Sequence, residues 1–318
     1  MLKYSGFNMF VSMSGFLAQR IDQVLIAGVL GFSKTPVFNL GFFISEAIDV
    51  PRKALSGISA PLIAQSIREN NIAHVSEIYR KSALLQLIIG TFLLAATWAC
   101  TDALFDLMPK NGDVYRQGKN VILLLGLSRL IDMATGTNAE IITYSAHYRF
   151  NLYSLLSMAI LNIALNFLLL KPLGITGSAL ATFFSITFVN IWRLLFIKQK
   201  MGIHPLSISM LWVLILGIFA WFFASFIPKL PHPSLTIIAK GITVTLIFFT
   251  GILYFKISDD LNSMAKKLII NAAIGYCHGN NLPCRPKLNH VGVMFWNGNE
   301  HWWTHLTNLE FIHIFVEK

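Results

Sequence analysis

Long apolar stretches recur along the chain, and they limit its fold more than any other feature of the sequence. A helix needs about 20 apolar residues to cross the hydrocarbon core of a bilayer. Eight stretches reach that length, at about residues 4–30, 36–67, 79–100, 117–144, 150–170, 173–197, 208–227 and 235–255. Only 13% of the 318 residues are charged, against about 25% in a soluble domain. The sequence therefore predicts an all-α fold, a polytopic bundle of about eight transmembrane helices, and excludes a soluble enzyme and a disordered scaffold.

Basic residues indicate how this bundle is oriented. With the N-terminus in the cytoplasm, the cytoplasmic segments contain 11 Lys and Arg residues and the opposite loops contain 6. Arg193 is counted with the cytoplasmic segment that follows the sixth stretch. Because loops rich in Lys and Arg stay in the cytoplasm, we expect a multi-pass protein of the inner membrane with both ends cytoplasmic. The net charge of +10 is then a property of the loops, and no nucleic-acid partner is expected.

The last 47 residues differ in composition from the rest of the chain. They contain five of the nine histidines and three of the seven tryptophans, and no helical period is sustained there. We expect a poorly ordered cytoplasmic tail, or out-of-frame translation after a frameshift near Asn271. The spacing of Cys277, His278, Cys284 and His290 fits no familiar zinc site, so we expect neither a metal nor a cofactor.

Several charged residues lie inside the predicted spans, where a charge at the bilayer centre costs about 2.5–3.5 kcal/mol on insertion scales. Arg20 and Asp22 point to nearly opposite sides of the first helix, so we expect each to have a partner on another helix. The second and fourth spans carry the remaining charges at steps that place them on one helix face. These residues are Glu46, Asp49, Arg52 and Lys53 in the second span, and Arg129, Asp132 and Glu140 in the fourth.

Two interpretations of these charges remain open. In the first, they neutralise each other and hold the helices together. In the second, they line a hydrophilic cavity, where Arg20, Arg52 and Arg129 bind an anionic group, because the guanidinium fork suits phosphate oxygens. The acids would then either carry a coupling proton or sodium ion or brace the helices; they are Asp22, Glu46, Asp49, Asp132 and Glu140.

Small and amide side chains at steps of four residues indicate close contacts between helices. Gly177 and Ala181 follow Gly174 near the start of the sixth span, and small residues at this spacing let two backbones approach. Asn162 and Asn166 lie four residues apart on the fifth span, where they can form hydrogen bonds across an interface. We expect these five residues to serve helix packing.

Three segments carry a resemblance to a known family. They are Arg20-Ile-Asp22-Gln-Val-Leu-Ile-Ala-Gly-Val-Leu-Gly31, Ala54-Leu-Ser-Gly-Ile-Ser-Ala-Pro61, and Asn162-Ile-Ala-Leu-Asn166 with the following Lys171-Pro-Leu-Gly174-Ile-Thr-Gly177-Ser-Ala179-Leu-Ala181-Thr182. Over about residues 1–256 the chain resembles the polysaccharide flippases (O-antigen and capsule type, Wzx-like). These belong to the multidrug/oligosaccharidyl-lipid/polysaccharide (MOP) exporter superfamily.

This resemblance implies a domain organisation and a function. Family members have two six-helix lobes, and this chain matches the second lobe (residues 1–200) and two additional helices (201–256), followed by the tail (257–318). The implied function is translocation of a polyprenyl-pyrophosphate-linked oligosaccharide across the cytoplasmic membrane for surface polysaccharide biosynthesis. A single lobe has half of the cavity, so we expect it to pair with a second copy or a separately encoded first lobe.

Three alternatives compete with this interpretation. A multidrug or cation antiporter of the same superfamily would have acids and aromatic residues in its cavity and few arginines. A truncated, non-functional gene product is compatible with the missing lobe. A membrane polysaccharide polymerase or ligase is less favoured, because the longest outer loop, about residues 101–116, has no histidine or nucleophile constellation. We therefore expect the protein not to be an enzyme, with the lipid-linked oligosaccharide and the phospholipid bilayer as its partners.

Overall fold

A computed structural model describes residues 21–108, 112–257 and 263, together with four short strands between residues 287 and 317. Ten helices are described within these ranges. In chain order they are α1 (Ile21–Leu30), α2 (Thr35–Arg68), α3 (Ile72–Asp106), α4 (Gly112–Arg116), α5 (Lys119–Ala134), α6 (Asn138–Tyr144), α7 (Arg149–Leu173), α8 (Ile175–Met201), α9 (Ile208–Ser225) and α10 (Pro233–Tyr254).

The predicted helical membrane protein is confirmed. Five of the described helices, α3 and α7 to α10, are long and apolar enough to cross a bilayer. The predicted first span is described only from residue 21 onward, as α1. The predicted second span is the single helix α2, which has 34 residues and contains Pro51 and Pro61 in its interior.

The predicted fourth span, residues 117–144, is wrong as one continuous helix. It is two helices, α5 and α6, separated by residues 135–137. Gly136 has a φ of +61°, and an added Cβ there would lie 2.7 Å from the Cβ of Ala83, so the chain turns in close contact with α3. The hydroxyl of Thr135 donates to Asn190 Oδ1 at 2.8 Å, and that of Thr137 lies 3.3 Å from the Ser82 hydroxyl. Side chains therefore supply hydrogen bonds where the helix stops.

Loops that the sequence analysis assigned to the cytoplasmic side meet at one end of the bundle. Arg80 Nε, near the start of α3, donates to the carbonyl of His204, which follows α8, at 3.3 Å. The ring of Phe150 at the start of α7 stacks on that of Phe196 near the end of α8, with centroids 3.8 Å apart. The α2–α3 and α6–α7 connections thus share an end with the C-terminus of α8.

Loops that were predicted to lie on the opposite side of the membrane also contact each other. Lys34 Nζ donates to Gln117 Oε1 at 2.8 Å. Asp106 at the end of α3 accepts from Arg116 at 2.5 Å and from Lys229, between α9 and α10, at 2.9 Å. These polar residues form the opposite end of the bundle.

The chain forms two compact units, residues 1–245 and 246–318. In the first unit α2, α5 and α8 pack together, α7 pairs with α8, and α9 packs on α3. One apolar core joins Ile26 of α1, Phe38 of α2, Leu125 of α5 and Ala179 of α8. This arrangement leaves the polar faces of α2, α5 and α8 turned toward each other.

The second unit contains the end of α10 and four short antiparallel strands. They are β1 (Lys287–Asn289), β2 (Gly292–Asn297), β3 (Glu300–His305) and β4 (Phe315–Glu317), in the sheet order β1-β2-β3-β4. Val293 of β2 is paired with Thr304 of β3. These strands lie in the segment for which a poorly ordered tail or out-of-frame translation was predicted; the proposed frameshift position, Asn271, lies outside the described residues.

Candidate functional site

A cavity of about 220 Å³ lies inside the first unit, among α1, α2, α5, α6, α7 and α8. Its wall includes five charged residues, Asp22, Arg52, Arg129, Asp132 and Arg193. Amide and hydroxyl side chains from α6, α7 and α8 complete its polar surface. Because charges are costly inside a membrane unless they have partners or water, their partners define what the cavity can bind.

One group of charges, which we call the central charge cluster, joins α2 to α5. It consists of Glu46, Asp49, Arg52 and Lys53 of α2 with Arg129 and Asp132 of α5. Arg52 is held between two carboxylates. Its Nε and Nη2 donate to Asp49 at 2.5 and 3.1 Å, and Nε lies 3.3 Å from Asp132 Oδ2.

The other half of the cluster is centred on Glu46. Its two carboxylate oxygens accept from Arg129 of α5 and, at 2.6 Å, from Lys53. Lys53 Nζ also lies 3.4 Å from Asp49. The Arg129 side chain is buried, whereas that of Lys53 is 53% exposed. Removing one member of a buried ion pair leaves an uncompensated charge, so this cluster ties α2 firmly to α5.

A second group, the Asp22 cluster, joins α1 to α7 and α8. Asp22 is only 3% exposed. Its carboxylate accepts from Asn166 Nδ2 at 2.8 Å and from the hydroxyl of Thr182 at 2.6 Å, and Asn162 Nδ2 donates to that hydroxyl at 3.2 Å. Among the described residues, no Lys, Arg or His lies within 4.0 Å of Asp22.

The Asp22 cluster has the chemistry of a site for a hard cation. It brings together carboxylate, amide and hydroxyl oxygens, the ligand types that such cations prefer. Asn166 Oδ1 is buried and accepts no hydrogen bond from the part of the chain that the structure describes. The negative charge and this free oxygen can therefore be satisfied together by one small cation, or the carboxylate can take a proton.

Arg193 occupies a different place from the one expected. The sequence analysis counted it in a cytoplasmic segment, which is wrong: Arg193 lies within α8, is 7% exposed and lines the cavity. Its Nε donates to Ser154 Oγ at 2.9 Å and its Nη2 donates to Asn151 Oδ1 at 2.8 Å, both on α7. Arg193 lies inside the sixth apolar stretch, residues 173–197, only eight residues from the end of α8. Counting charges by loop therefore assigned to the cytoplasmic segment a residue that the helix carries into the cavity.

A match to a family model shows which family this chain belongs to. The MatE model matches residues 8–168, just over half of the 318-residue chain. This chain belongs to the MatE family. No curated protein sequence matches it.

Solved structures with the same fold are transporters of the MOP superfamily and a lipid flippase. The lipid II flippase MurJ in an inward closed conformation has a TM-score of 0.56 and 14% identity, over 77% of this chain and 53% of its own. An outward-facing multidrug resistance MATE family transporter of the MOP superfamily has a TM-score of 0.54 and 16% identity, over 77% and 62%. A MOP superfamily transporter from Pyrococcus furiosus has a TM-score of 0.51 and 16% identity, over 77% and 61%. The MatE-family chain thus spans between 53% and 62% of the length of these proteins.

The structure brings most of the predicted charged residues to one place. Arg52, Arg129 and Asp132 line the cavity directly, and Glu46 and Asp49 are bound to those two arginines. Both arginines are therefore paired with acids. The third predicted arginine, Arg20, lies outside the described residues.

Glu140 lies apart from the other predicted acids. It belongs to α6, not to the helix of Arg129 and Asp132, because the fourth span is broken. Among the described residues it forms no ion pair within 4.0 Å. It interacts with Arg52 and Arg193 only over a longer distance.

The predicted packing residues lie at the junction of α7 and α8. Gly174 connects the two helices, and an added Cβ on Gly177 would lie 2.0 Å from the carbonyl oxygen of Leu169. Ala181 is fully buried on α8. Asn162 and Asn166 belong to the Asp22 cluster, so these two residues line or adjoin the cavity as well as the helix interface.

Several polar residues at the site were not predicted from the sequence. Those that bind its charged groups are Asn151 and Ser154 of α7 and Thr182 and Asn190 of α8. Along α8, the cavity residues Thr182, Ser185, Val189 and Arg193 recur at steps of three and four. This helical period is the signal that identifies the cavity face of α8.

Proposed function

We propose that this chain is one lobe of a membrane transporter that moves a polyprenyl-pyrophosphate-linked oligosaccharide across the cytoplasmic membrane for surface polysaccharide biosynthesis. The observation that carries the proposal is the exposed ammonium group of Lys53, beside Arg52, in the interior of the long helix α2. An exposed charge on a membrane helix needs water or an anionic ligand.

The central charge cluster supports an anionic ligand. Lys53 holds its two acids, Glu46 and Asp49, from the exposed side of the cluster. A pyrophosphate group brings more negative charge and more acceptor oxygens than one carboxylate, so it can replace these acids as the partner of Lys53. Glu46 and Asp49 keep their bonds to Arg129 and Arg52 when Lys53 turns to the ligand, so neither acid is left without a basic partner.

The Asp22 cluster supports coupling to a cation. Of the five acids predicted for coupling or bracing, three are bound to basic residues and Glu140 lies apart, whereas Asp22 has only neutral donors in the described structure. A cation or proton at Asp22 contacts α1, α7 and α8 together. Binding there therefore changes how these helices hold each other, as a coupling ion must.

The proposed transporter contains a second lobe. Substrate sites of repeat-built transporters lie at the interface between two repeats, and this chain spans 53% of the length of MurJ. We therefore propose that the face with Lys53 meets a second copy or a separately encoded first lobe. The inner membrane, with both chain ends in the cytoplasm, is the proposed location.

A second candidate function is a multidrug or cation antiporter. The observation that supports it is the Asp22 cluster, because a buried carboxylate with neutral donors is suited to binding and exchanging a cation. The two functions differ in the ligand of the central charge cluster: the first needs an anionic headgroup, the second a lipophilic cation.

Ligand binding to the purified full chain separates the two functions. The probes are polyprenyl pyrophosphate and tetraphenylphosphonium, with binding followed by native mass spectrometry. We expect the pyrophosphate to bind and Lys53→Gln to weaken its binding about tenfold, because a charge-assisted hydrogen bond contributes about 1.5–3 kcal/mol. Lys81→Gln is the matched control, since Lys81 is 59% exposed and paired with Glu77 on a single helix. Binding of tetraphenylphosphonium alone would favour the antiporter and contradict the flippase.

A further inference from the structure

The end of the cavity near the C-terminus of α8 contains a buried arginine with no acid beside it. Arg193 is bound to Ser154 and Asn151, and neither acceptor is charged. Within the described ranges of the chain, no carboxylate lies within 4.0 Å of its guanidinium. A buried arginine stays charged at every physiological pH, so its charge needs compensation from another source.

The two hydrogen bonds use only one edge of the guanidinium. Nε and one hydrogen of Nη2 point at Ser154 and Asn151. The other edge, formed by Nη1 and the second hydrogen of Nη2, has no acceptor among the residues that the structure describes. This free edge is a two-pronged donor, the geometry that matches two oxygens of an oxyanion.

In the described structure the nearest acids do not contact Arg193 directly. Asp132 is paired with Arg52 at 3.3 Å and accepts a hydrogen bond from Asn190 at 3.0 Å. Asp132 and, more weakly, Glu140 interact with Arg193 only at longer range. Both acids nevertheless belong to the same region, so a direct pair between Arg193 and Glu140 is the rival explanation that the experiment must exclude.

Arg193 lines a cavity that is large enough for a ligand. The volume of the whole cavity is about 220 Å³, whereas about 10–15 Å³ is enough for one water molecule. Asn151, Asn190 and Ser185 add polar groups to the same wall. We propose that this end of the cavity is an oxyanion site, in which the free edge of Arg193 holds a phosphate group. The proposal does not rest on the proposed transport function.

A bound phosphate neutralises the arginine and thereby stabilises the α7–α8 pair, because Arg193 of α8 is anchored on two residues of α7. The phosphate has two possible sources, inorganic phosphate and the headgroup of a bilayer lipid. Both present the same oxygens to the guanidinium. The site is separate from the exposed side of the central charge cluster, because Lys53, which lies on that side, does not line the cavity.

The test measures thermal unfolding of the full chain in two arms. In the first arm, inorganic phosphate is titrated into protein in uncharged detergent, with gluconate at equal ionic strength as the reference. In the second, the protein is placed in phosphate-free nanodiscs with or without phosphatidic acid. We expect stabilisation in at least one arm, and the arm that responds identifies the source. No stabilisation in either arm would overturn the proposal.

Asn151→Asp is the decisive variant, because it places a carboxylate on Arg193 with almost no change of shape. We expect this variant to be more stable without phosphate and to lose the response to phosphate. Arg193→Gln should weaken the response about tenfold or more. Asn120→Asp, at an exposed position of α5, is the matched control and should keep the response.

The Glu140 explanation predicts a different pattern. If Glu140 is the true partner of Arg193, then Glu140→Gln destabilises the protein without phosphate as much as Arg193→Gln does, and the double variant is no worse than either. That result would overturn the proposal. An unchanged stability of Glu140→Gln, with its phosphate response intact, would support it.

Discussion

At the scale of single residues, Asp22 is a buried acid without a basic partner among the described residues. Its carboxylate is buried on α1, and its described donors, Asn166 and Thr182, are neutral. Hydrogen bonds from neutral groups stabilise a buried charge only partly. We therefore expect Asp22 to bind a cation or a proton, and its occupancy to depend on the cations present in the solution.

The first prediction concerns this dependence. In wild-type protein we expect sodium to raise the unfolding temperature relative to a large organic cation such as choline at equal ionic strength. Asp22→Asn should remove the sodium effect, because it keeps the shape of the side chain but not its charge. Asp102→Asn, at the partly exposed ion pair with Lys119, should leave the effect unchanged. Equal sodium responses in wild type and Asp22→Asn would contradict the cation role.

A second prediction concerns the pair of Arg129 and Glu46. Breaking a buried ion pair by removing one partner costs about 3–5 kcal/mol, so Arg129→Gln and Glu46→Gln should each lower the free energy of unfolding by that amount. The double variant should lose much less than the sum, because no unpaired charge remains. Chemical unfolding in mixed micelles measures these values.

The control for this double-mutant cycle is Arg116 with Asp106, an exposed pair at the bundle end. Its coupling should be about 0–1 kcal/mol. A coupling at Arg129 and Glu46 as small as that of the exposed pair would show that the central charge cluster does not hold α2 to α5.

Residue positions were predictable where spacing along one helix was enough. Glu46, Asp49, Arg52 and Lys53 fall on one face of α2 and do contact each other. The partners of Asp22 were not predictable, because Asn166 and Thr182 are more than 140 residues away in sequence. Only the packing of α1 against α7 and α8 brings them together.

At the scale of elements, the junction of α7 and α8 is the tightest feature described. Gly174 ends α7 and begins α8 with φ +61° and ψ −143°, a conformation that is essentially restricted to glycine. One turn later, Gly177 of α8 lies against the backbone of Leu169 on α7. The two helices can therefore approach closely at this end only while residue 177 has no side chain.

The third prediction tests this close approach. Gly177→Ala should lower the free energy of unfolding by about 1–3 kcal/mol, the usual cost of overpacking, and backbone atoms cannot move away as a flexible side chain can. Gly57→Ala is the matched control, since nothing lies within 4 Å of an added Cβ on that glycine of α2. The control should be neutral or stabilising by up to about 1 kcal/mol. Thermal unfolding in detergent compares the two variants.

The first and last residues of a helix were predictable to within a few positions where polar residues flank the apolar stretch, as for α7 and α9. The break between α5 and α6 was missed because the apolar stretch was interpreted as one span, although Gly136 is a signal for it: glycine is a poor helix former and is common just past a helix C-terminus. Gly136 adopts a φ of +61°, and its lack of a side chain lets the chain turn in close contact with Ala83 of α3.

At the scale of the whole molecule, the loops of the helical unit fall into two polar ends. Arg80 and His204 meet at one end, while Asp106, Arg116 and Lys229 meet at the other. The balance of basic residues predicts that the first end faces the cytoplasm. Moving Arg193 from a loop into α8 lowers the cytoplasmic count from 11 to 10, against 6, and the direction of the asymmetry is unchanged.

The fourth prediction tests this orientation in cells. In a variant without native cysteines, a cysteine at Lys229 or Gln117 should react with a membrane-impermeant maleimide added outside, and a cysteine at Glu69 or His204 should not. Permeabilised cells should label at all four positions, which controls for accessibility. Labelling of Glu69→Cys but not Lys229→Cys in intact cells would reverse the orientation.

The helical membrane architecture was predictable from the length of the apolar segments, because the thickness of the bilayer sets that length. A polar cavity lined by Arg52 and Arg129 was one of the two interpretations of the sequence, but the walls that α6, α7 and α8 contribute were not predictable, because they depend on how six helices meet. Arg193 illustrates the difference: its charge is visible in the sequence, but its position in the cavity depends on Ser154 and Asn151 of α7.

The position of Pro51 has a consequence for how α2 moves. Proline lacks the N–H that would bind the carbonyl of Ala47, four residues earlier. Bending α2 at this point therefore breaks one hydrogen bond fewer than bending an uninterrupted helix. The next two residues are Arg52 and Lys53, so one of the two proline positions at which α2 bends more easily lies directly beside its charges. A ligand that pulls on these charges therefore bends α2 more readily than it would bend a helix without proline.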